Sequence, residues 1–397
     1  MEEIRLDAFC DSVRDGTHDT PKPVKEGRYL VTSKAIRNNT VYLDECYYIS
    51  QEEFDKINKR SLVEKWDVLM TMIGSVGRLL LVKETPNYAI KNIALFKIGD
   101  ELKAKWLYYF LSNPSVQNYF EMIASGTSQH FIGLGHLRRL KIDNIHSTSK
   151  QIVSILSAYD NLIENNNRRI RLLEQMAENL YKEWFVRFRF PGHEKVEFEN
   201  GLPKGWKVES ASTVIDIMSG GTPKTERTEF YGGEIPFYTP KDANDSIFVY
   251  STITKITKEG LAHCNSQYYP ANTLMITARG TVGKLNLLAV PMAMNQSCFA
   301  LKFKDNKNAY YLYFSMRNEV AKLKKMANGG VFDTIVIKTF DHIKIVVPSE
   351  KILEFFDRKI SFLFVQIQNL QRQSTLLARQ RDLLLPRLMS GKLDVEE

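Results

Sequence analysis

The chain is poor in cysteine and has no long apolar run. Four of its 397 residues are cysteine (Cys10, Cys46, Cys264 and Cys298). No two of them form a CxxC knuckle, and the seven histidines are scattered without ligand spacing. The thiols therefore read as small core residues or free thiols, and no metal site is expected. No stretch approaches the ~18 consecutive apolar residues of a membrane span. The opening "MEEIRLDAFCDS" lacks the basic and apolar regions of a secretory signal. A cytoplasmic chain with no membrane partner is the expectation. Catalytic signatures are missing as well: GxSxG, HExxH and GxGxxG do not occur. "SNPSVQ" (112–117) has the Asn-Pro of an adenine-methylating site without the second proline and aromatic; it lies in a helical pattern and reads as a helix break or start. Asp15, His18 and Asp19 beside Gly16 read as a solvated turn rather than an acid–base set.

What is present begins with charge. The formal net charge is +8 and the pI is about 9.0, which raises the odds of a nucleic-acid partner without establishing one. Two glycine-rich loops stand out: "MIGSVGR" (72–78) and "ARGTVGK" (278–284), each after an apolar run. Neither is a phosphate-binding loop of the GxxxxGK[ST] kind. In the second the first glycine is misplaced and Leu285 follows the lysine; the first has no lysine.

The loops are one pair among several. "DGTHDTP" (15–21) matches "SGGTPKT" (219–225), and "YLVTSKAI" (29–36) matches "PFYTPKDA" (236–243). "IKNIALFKI" (90–98) matches "AMNQSCFALKF" (293–303), "WLYYFLSN" (106–113) matches "YYLYFSMRN" (310–318), and "LKID" (140–143) matches "IKIV" (343–346). Each match is weak, but all keep the same order, so the chain is written twice. Two similar domains follow, over about 1–148 and 200–348. "IALFKI" and "CFALKF" read as strands; 104–125 and 308–328 read as amphipathic helices. The fold class is α+β.

After each domain the period changes. Ile152, Leu156, Tyr159, Ile163, Asn166, Ile170, Leu173, Ala177, Leu180 and Trp184 alternate by steps of four and three. So do Phe356, Ile360, Leu363, Ile367, Leu370, Ser374, Leu377, Arg381, Leu384 and Leu388, in the same register 197 positions on. This is the seam of a helix pair, interrupted at Asn166 and Arg381 by the polar residues that commonly set register. Pro386 marks the end of the second helix. "RFRFPGHEKVEFENGLPKGW" (187–206) reads as a linker. The domains are thus 1–148, a helical segment 149–190, linker and second domain 191–348, and a second helical segment with tail 349–397. Each helix spans ~50 Å at ~1.5 Å per residue. Antiparallel pairing spares the chain a return of that length. It gives two domains at the ends of a helical rod with a pseudo-two-fold axis, an arrangement suited to two half-sites on duplex DNA.

Two α/β repeats, each followed by a long helix, with "SGGTP", "GTVGK" and "LLPRLMSGKL", resemble the DNA-specificity subunit of type I restriction–modification systems over essentially the whole chain. The resemblance implies a non-catalytic subunit with two target recognition domains, reading a bipartite site on double-stranded DNA. It implies two modification subunits that bind S-adenosylmethionine and methylate adenine, and two restriction subunits that translocate with ATP and Mg and cut; this chain itself binds no cofactor. Two departures are noted. The first domain lacks the lead-in "LPKGWKVES" seen before the second, and its glycine loop is one residue shorter upstream.

Polar residues in the shared loops are the candidates for DNA contact, since base edges specify and phosphates position. In the first domain they are Thr17, His18, Ser33, Lys34, Arg37, Ser75, Arg78, Lys91 and Asn92. In the second they are Thr222, Lys224, Thr239, Lys241, Arg279, Thr281, Lys284, Asn295 and Gln296. Arg279 suits a guanine edge; Asn92, Asn295 or Gln296 suits an adenine edge. Two rival readings stand beside this one: a self-contained DNA-modifying enzyme, and a coiled-coil scaffold for proteins only.

Overall fold

Val68–Thr71 and Leu274–Thr277 are strands buried at every position, which requires cover on both faces of the sheet. Side chains alternate across a strand, and here they alternate between two cores. Val68 and Met70 face a core with Trp106 and Leu107, while Leu69 faces a second with Val31, Leu80 and Leu95. Leu274 and Ile276 likewise join Tyr311 and Leu312, while Met275 joins Tyr238, Leu288 and Met294. The strands Ile93–Lys97 and Cys298–Phe303 obey the same rule.

The computed structural model describes residues 3–124, 130–305, 308–326 and 334–395. They fall into two units, Met1–Asn165 with Ser374–Glu397, and Asn166–Gln373. The first unit has an antiparallel sheet in the order Ser12–Asp15, Ile93–Lys97, Val68–Thr71, Leu79–Leu81. Beside it Arg28–Val31 lies between Tyr47–Ile49 and Tyr88–Ile90, parallel to the latter. The second unit repeats the order: Ile215–Ser219, Cys298–Phe303, Leu274–Thr277, Leu285–Leu288, with Phe248–Val249 added at the edge. Its second sheet places Tyr231–Tyr238 between Thr254–Ile256 and a parallel Ala293–Met294. The lead-in is matched too. Glu3–Arg5 pairs with Lys141–Asp143 as Lys207–Ser210 pairs with Lys344–Val347, so the first domain does not lack that strand.

The first domain's helical stretch divides where its sequence dictates. Asp100 caps the helix Glu101–Ser112 by accepting from Lys103 N (2.8 Å). Asn113 is extended because proline follows it, and its side chain caps the helix Pro114–Ile123 through Ser115 N (3.2 Å). The second domain has one helix here, Ala309–Met326. The ends of the two expected helices, 125 and 327–328, lie outside the described residues.

Two long helices, Ser149–Tyr181 and Glu350–Met389, follow the domains. In the first unit Ile152, Val153 and Leu156 share a core with Leu385, Leu388 and Met389, and Asp160 meets Arg381. In the second unit Asn166 Nδ2 donates to Gln373 Oε1 (3.0 Å), and Trp184 meets Phe356 at 5.7 Å between ring centroids. Within each unit, then, rising numbers on one helix meet falling numbers on the other, which is antiparallel. Of the seam residues, Asn166, Ile170, Ile360, Ile367 and Leu370 are buried, and Ile163, Leu173, Leu180, Leu363 and Leu377 half-buried.

Three expectations are corrected. Pro386 lies inside the second helix, which runs on to Met389; in the last turn only one backbone bond is forfeited. A π turn at Lys182–Val186 shifts the register of the first, so that Trp184 and Phe185 are both buried. The stretch 187–206 is no free linker. Phe190 stacks on Trp206 at 5.0 Å, and both belong to the second unit's core; aromatic burial outweighs the proline, glycine and charge around it. No helix of the described residues is long and apolar enough to cross a membrane.

Candidate nucleic-acid interface

The glycine loops are hairpin turns of one design. Gly74, Gly77, Gly280 and Gly283 all have φ between 75° and 84°, a region open to glycine and strained for other residues. The Thr71 hydroxyl donates to Ser75 O and accepts from Arg78 N (3.0 Å), while Gly77 N donates to Thr71 O (3.0 Å). In the second loop Thr277 does the same with Thr281 O, Lys284 N (3.0 Å) and Gly283 N (2.8 Å). The loops are therefore equal in length, and the expected one-residue difference is not there. Gly74 N is also taken, by His130 O (2.9 Å). A phosphate cradle needs N–H groups that converge on open space; here they close the turn itself. Thr71 and Thr277 were absent from the candidates, although a threonine aligned one position before "MIGSVGR" and "ARGTVGK" was the available signal.

In the first unit the structure gathers Ser33, Lys34, Ser75, Lys91 and Asn92 around one hollow of about 650 Å³, with Thr20, Thr32, Glu45, Tyr47, Ile73 and Gly74. The shared parallel strand positions them. Thr17 N donates to Ile90 O (3.0 Å), and Asn92 N, on a left-handed residue (φ 56°), donates to Thr17 O (3.2 Å). This close approach demands glycine before Thr17: a Cβ on Gly16 would lie 2.3 Å from Ile90 O, and one on Gly220 would lie 2.3 Å from Asn295 O. Lys91 Nζ donates to the Thr20 hydroxyl. His18 bridges Asn92 Oδ1 and Asp15 Oδ2, both at 2.8 Å, and buried Asp15 also accepts from Arg60. The solvated turn expected of Asp15 and His18 is therefore corrected: Asp15 is buried and holds His18, and Arg60 is the partner that sequence reasoning missed. Arg37 and Arg78 are not among the hollow's lining residues. Arg37 pairs with Glu45 and lies 4.4 Å over the Tyr42 ring; Arg78 Nη1 donates to Ile36 O (3.4 Å).

In the second unit Thr222 donates its hydroxyl proton to Gln296 Oε1. Asn295 N donates to Tyr238 O (3.0 Å), and its side-chain oxygen accepts from Ser297 N (3.1 Å). Thr239 and Asp242 close a turn that leaves Lys241 exposed, and Lys224 is exposed as well. The Thr281 hydroxyl reaches Pro240 O (3.3 Å), and neighbouring Arg279 is exposed. Lys284 instead pairs with Asp245 and lines a separate hollow of about 340 Å³ with Glu174, Arg317 and Lys324. Burial, and then the nearby Lys284 charge, hold Lys324 below the usual lysine range; burial raises Glu174 against the opposing pull of Arg317 and Arg171. Lys284, a candidate for DNA contact, is thus paired with an exposed carboxylate of its own unit.

The two units thus carry the same α/β fold, with polar loops at equivalent edges of each. The model of the family described as "type I restriction modification DNA specificity domain" matches twice, over residues 1–175 and 203–376, and the chain belongs to that family. It is similar to the type I restriction enzyme HindI specificity subunit of Haemophilus influenzae, at 24% identity over 84% of this chain and 88% of that protein. It is also similar to the MjaIX specificity subunit of Methanocaldococcus jannaschii, at 25% identity over 95% and 87%. Among solved structures, the S subunit of a type I restriction–modification system from M. genitalium matches 100% of this chain and 96% of that one, at 16% identity and a TM-score of 0.53, a likeness of fold.

Proposed function

We propose that this chain is the DNA-reading, non-catalytic specificity subunit of a type I restriction–modification complex, with one α/β domain for each half of a bipartite duplex target. The observation that carries the reading is the recurrence, at equivalent places in both repeats, of the same hairpin turn and the same polar edge after the parallel strand. The helix pair, as an antiparallel coiled coil, sets the spacing of the domains, and modification and restriction subunits assemble on the chain, two of each. S-adenosylmethionine, ATP and Mg then belong to those partners, and the complex works in the cytoplasm. The two rivals predict otherwise. A self-contained enzyme transfers methyl groups without partners, and a protein-only scaffold shows no salt-dependent duplex binding.

The test is a map of methylated adenines in cells carrying the complex, followed by Arg279→Ala. The expected map is a bipartite motif with an unspecified spacer. The variant relaxes one half of it by roughly 1–3 kcal/mol of lost discrimination and leaves the other half intact. Unchanged methylation at both halves removes Arg279 from the interface, and a continuous motif refutes the two-domain reading.

A further inference from the structure

His18 and Asn92 stand 204 positions before Thr222 and Gln296, and the structure joins each pair in the same way. In both repeats a side chain of the loop after the first sheet strand grips the carboxamide oxygen of the second residue beyond the parallel strand. The pairs differ in chemistry, an imidazole in one unit and a hydroxyl in the other, yet both seize the same end of the amide. A carboxamide free to turn can offer donor and acceptor together, which is what an adenine edge requires. One whose oxygen is drawn to a neighbouring donor turns its NH2 group outward.

We infer that His18 and Thr222 are positioning residues that fix the Asn92 and Gln296 amides with their NH2 groups toward DNA, so that each reads a hydrogen-bond acceptor on a base edge. This inference rests on the DNA-reading function proposed above and narrows the adenine-edge contact expected for these amides to a donor contact. The acceptors available in the major groove are purine N7, guanine O6 and thymine O4. The first clamp is built in depth. One Asp15 oxygen lies 2.8 Å from His18 Nε2 and the other accepts from Arg60, which holds the ring in place. Nδ1, on the opposite side of the ring, lies 2.8 Å from the Asn92 side-chain oxygen. The clamp is reachable: the His18 side chain is 61% exposed, and Asn92 lines the 650 Å³ hollow. In the second unit Thr222 and Gln296 are both exposed.

The experiment uses the full chain assembled with its partner subunits and selects from duplex pools randomised at one target position at a time. His18→Ala is expected to lower base discrimination at one position of one half-site, from roughly tenfold toward parity. Asn92→Gly, which tolerates the left-handed backbone, abolishes discrimination at that same position. Thr222→Val and Gln296→Ala form the corresponding pair in the other half-site. Every other position keeps its wild-type profile. The clamp is overturned if His18→Ala and Thr222→Val keep the wild-type profile at all positions, or if they weaken all sequences equally as a lost phosphate contact does. A wild-type complex without a bipartite preference overturns the underlying reading, and the clamp with it; a bipartite wild type with unmoved variants removes the clamp alone.

Discussion

Asp357 is half-buried near the start of the second long helix, and burial alone raises its carboxyl above the usual range. Its counterpart 197 positions earlier, Asp160, has Arg381 and the Tyr109 hydroxyl as partners, whereas the residue equivalent to Arg381 in the second unit is Trp184. A carboxyl whose folded pKa exceeds its unfolded one binds its proton more tightly in the folded state. Its stabilising contribution is therefore complete at acid pH, below the unfolded value, and is lost as pH rises through the folded value. Asp357→Asn is expected to raise the unfolding midpoint at neutral pH and to lose that advantage in acid, as thermal denaturation across pH will show; a less stable variant at neutral pH contradicts the assignment. Residues of this kind were not legible in the sequence, because a carboxylate's environment depends on what the fold brings to it. The same limit applies to Arg37 and Lys284, which look like free loop cations until the fold supplies Glu45 and Asp245. Ser33, Lys34, Ser75, Lys91 and Asn92, by contrast, lie in loops that the repeat marks, and it is the fold that gathers them around one hollow.

The two long helices show what a pattern of elements can and cannot convey. Their four–three spacing predicts a seam, and no seam residue is exposed. Phe364 falls outside that spacing and is nevertheless fully buried, because the helix packs on its own domain as well as on the other helix, which widens the apolar stripe. Arg381 shows the cost and use of a polar seam position. Burial opposes its charge, but Asp160 and Asp382 hold it well above the usual arginine range, and Tyr109 Oη, on a helix of the first domain, donates to the other Asp160 oxygen (2.6 Å). The ion pair thereby ties the domain to the helices as well as fixing their register. Removing one partner leaves a charge in a poor solvent, whereas removing both does not. Arg381→Met should cost of the order of 3 kcal/mol, and Arg381→Met with Asp160→Leu should recover most of it. Denaturant unfolding of the three proteins decides the matter, and a single variant as stable as the wild type leaves the pair without a structural role.

At the scale of the molecule, duplication was the most legible property, since six weak matches in one order survive sequence drift that erases each match alone. The strands were less legible. Runs such as "VLMT" and "LLL" are buried on both faces, so they lack the polar alternation that announces a half-buried strand, and the extra edge strand Phe248–Val249 has no counterpart among the described residues of the first repeat to reveal it. Under the proposed function the helix pair sets the distance between half-sites, and matched deletions test this while preserving the seam. Removing 163–169 together with 370–376 takes one heptad from each helix, so Ile170 and Leu377 stand where Ile163 and Leu370 stood. Seven residues are about 10 Å of helix, close to three base pairs at ~3.4 Å each. Three base pairs also turn one half-site by about a hundred degrees around the duplex. The methylation map of the deletion is therefore expected to keep both half-site sequences with a spacer shortened by about three base pairs, or to show no modification where that rotation is not absorbed. In the second case each half-site, offered on its own short duplex, is still selected by the deleted protein, which separates lost spacing from lost folding. Full modification at the original spacer would show that the helices do not measure the distance.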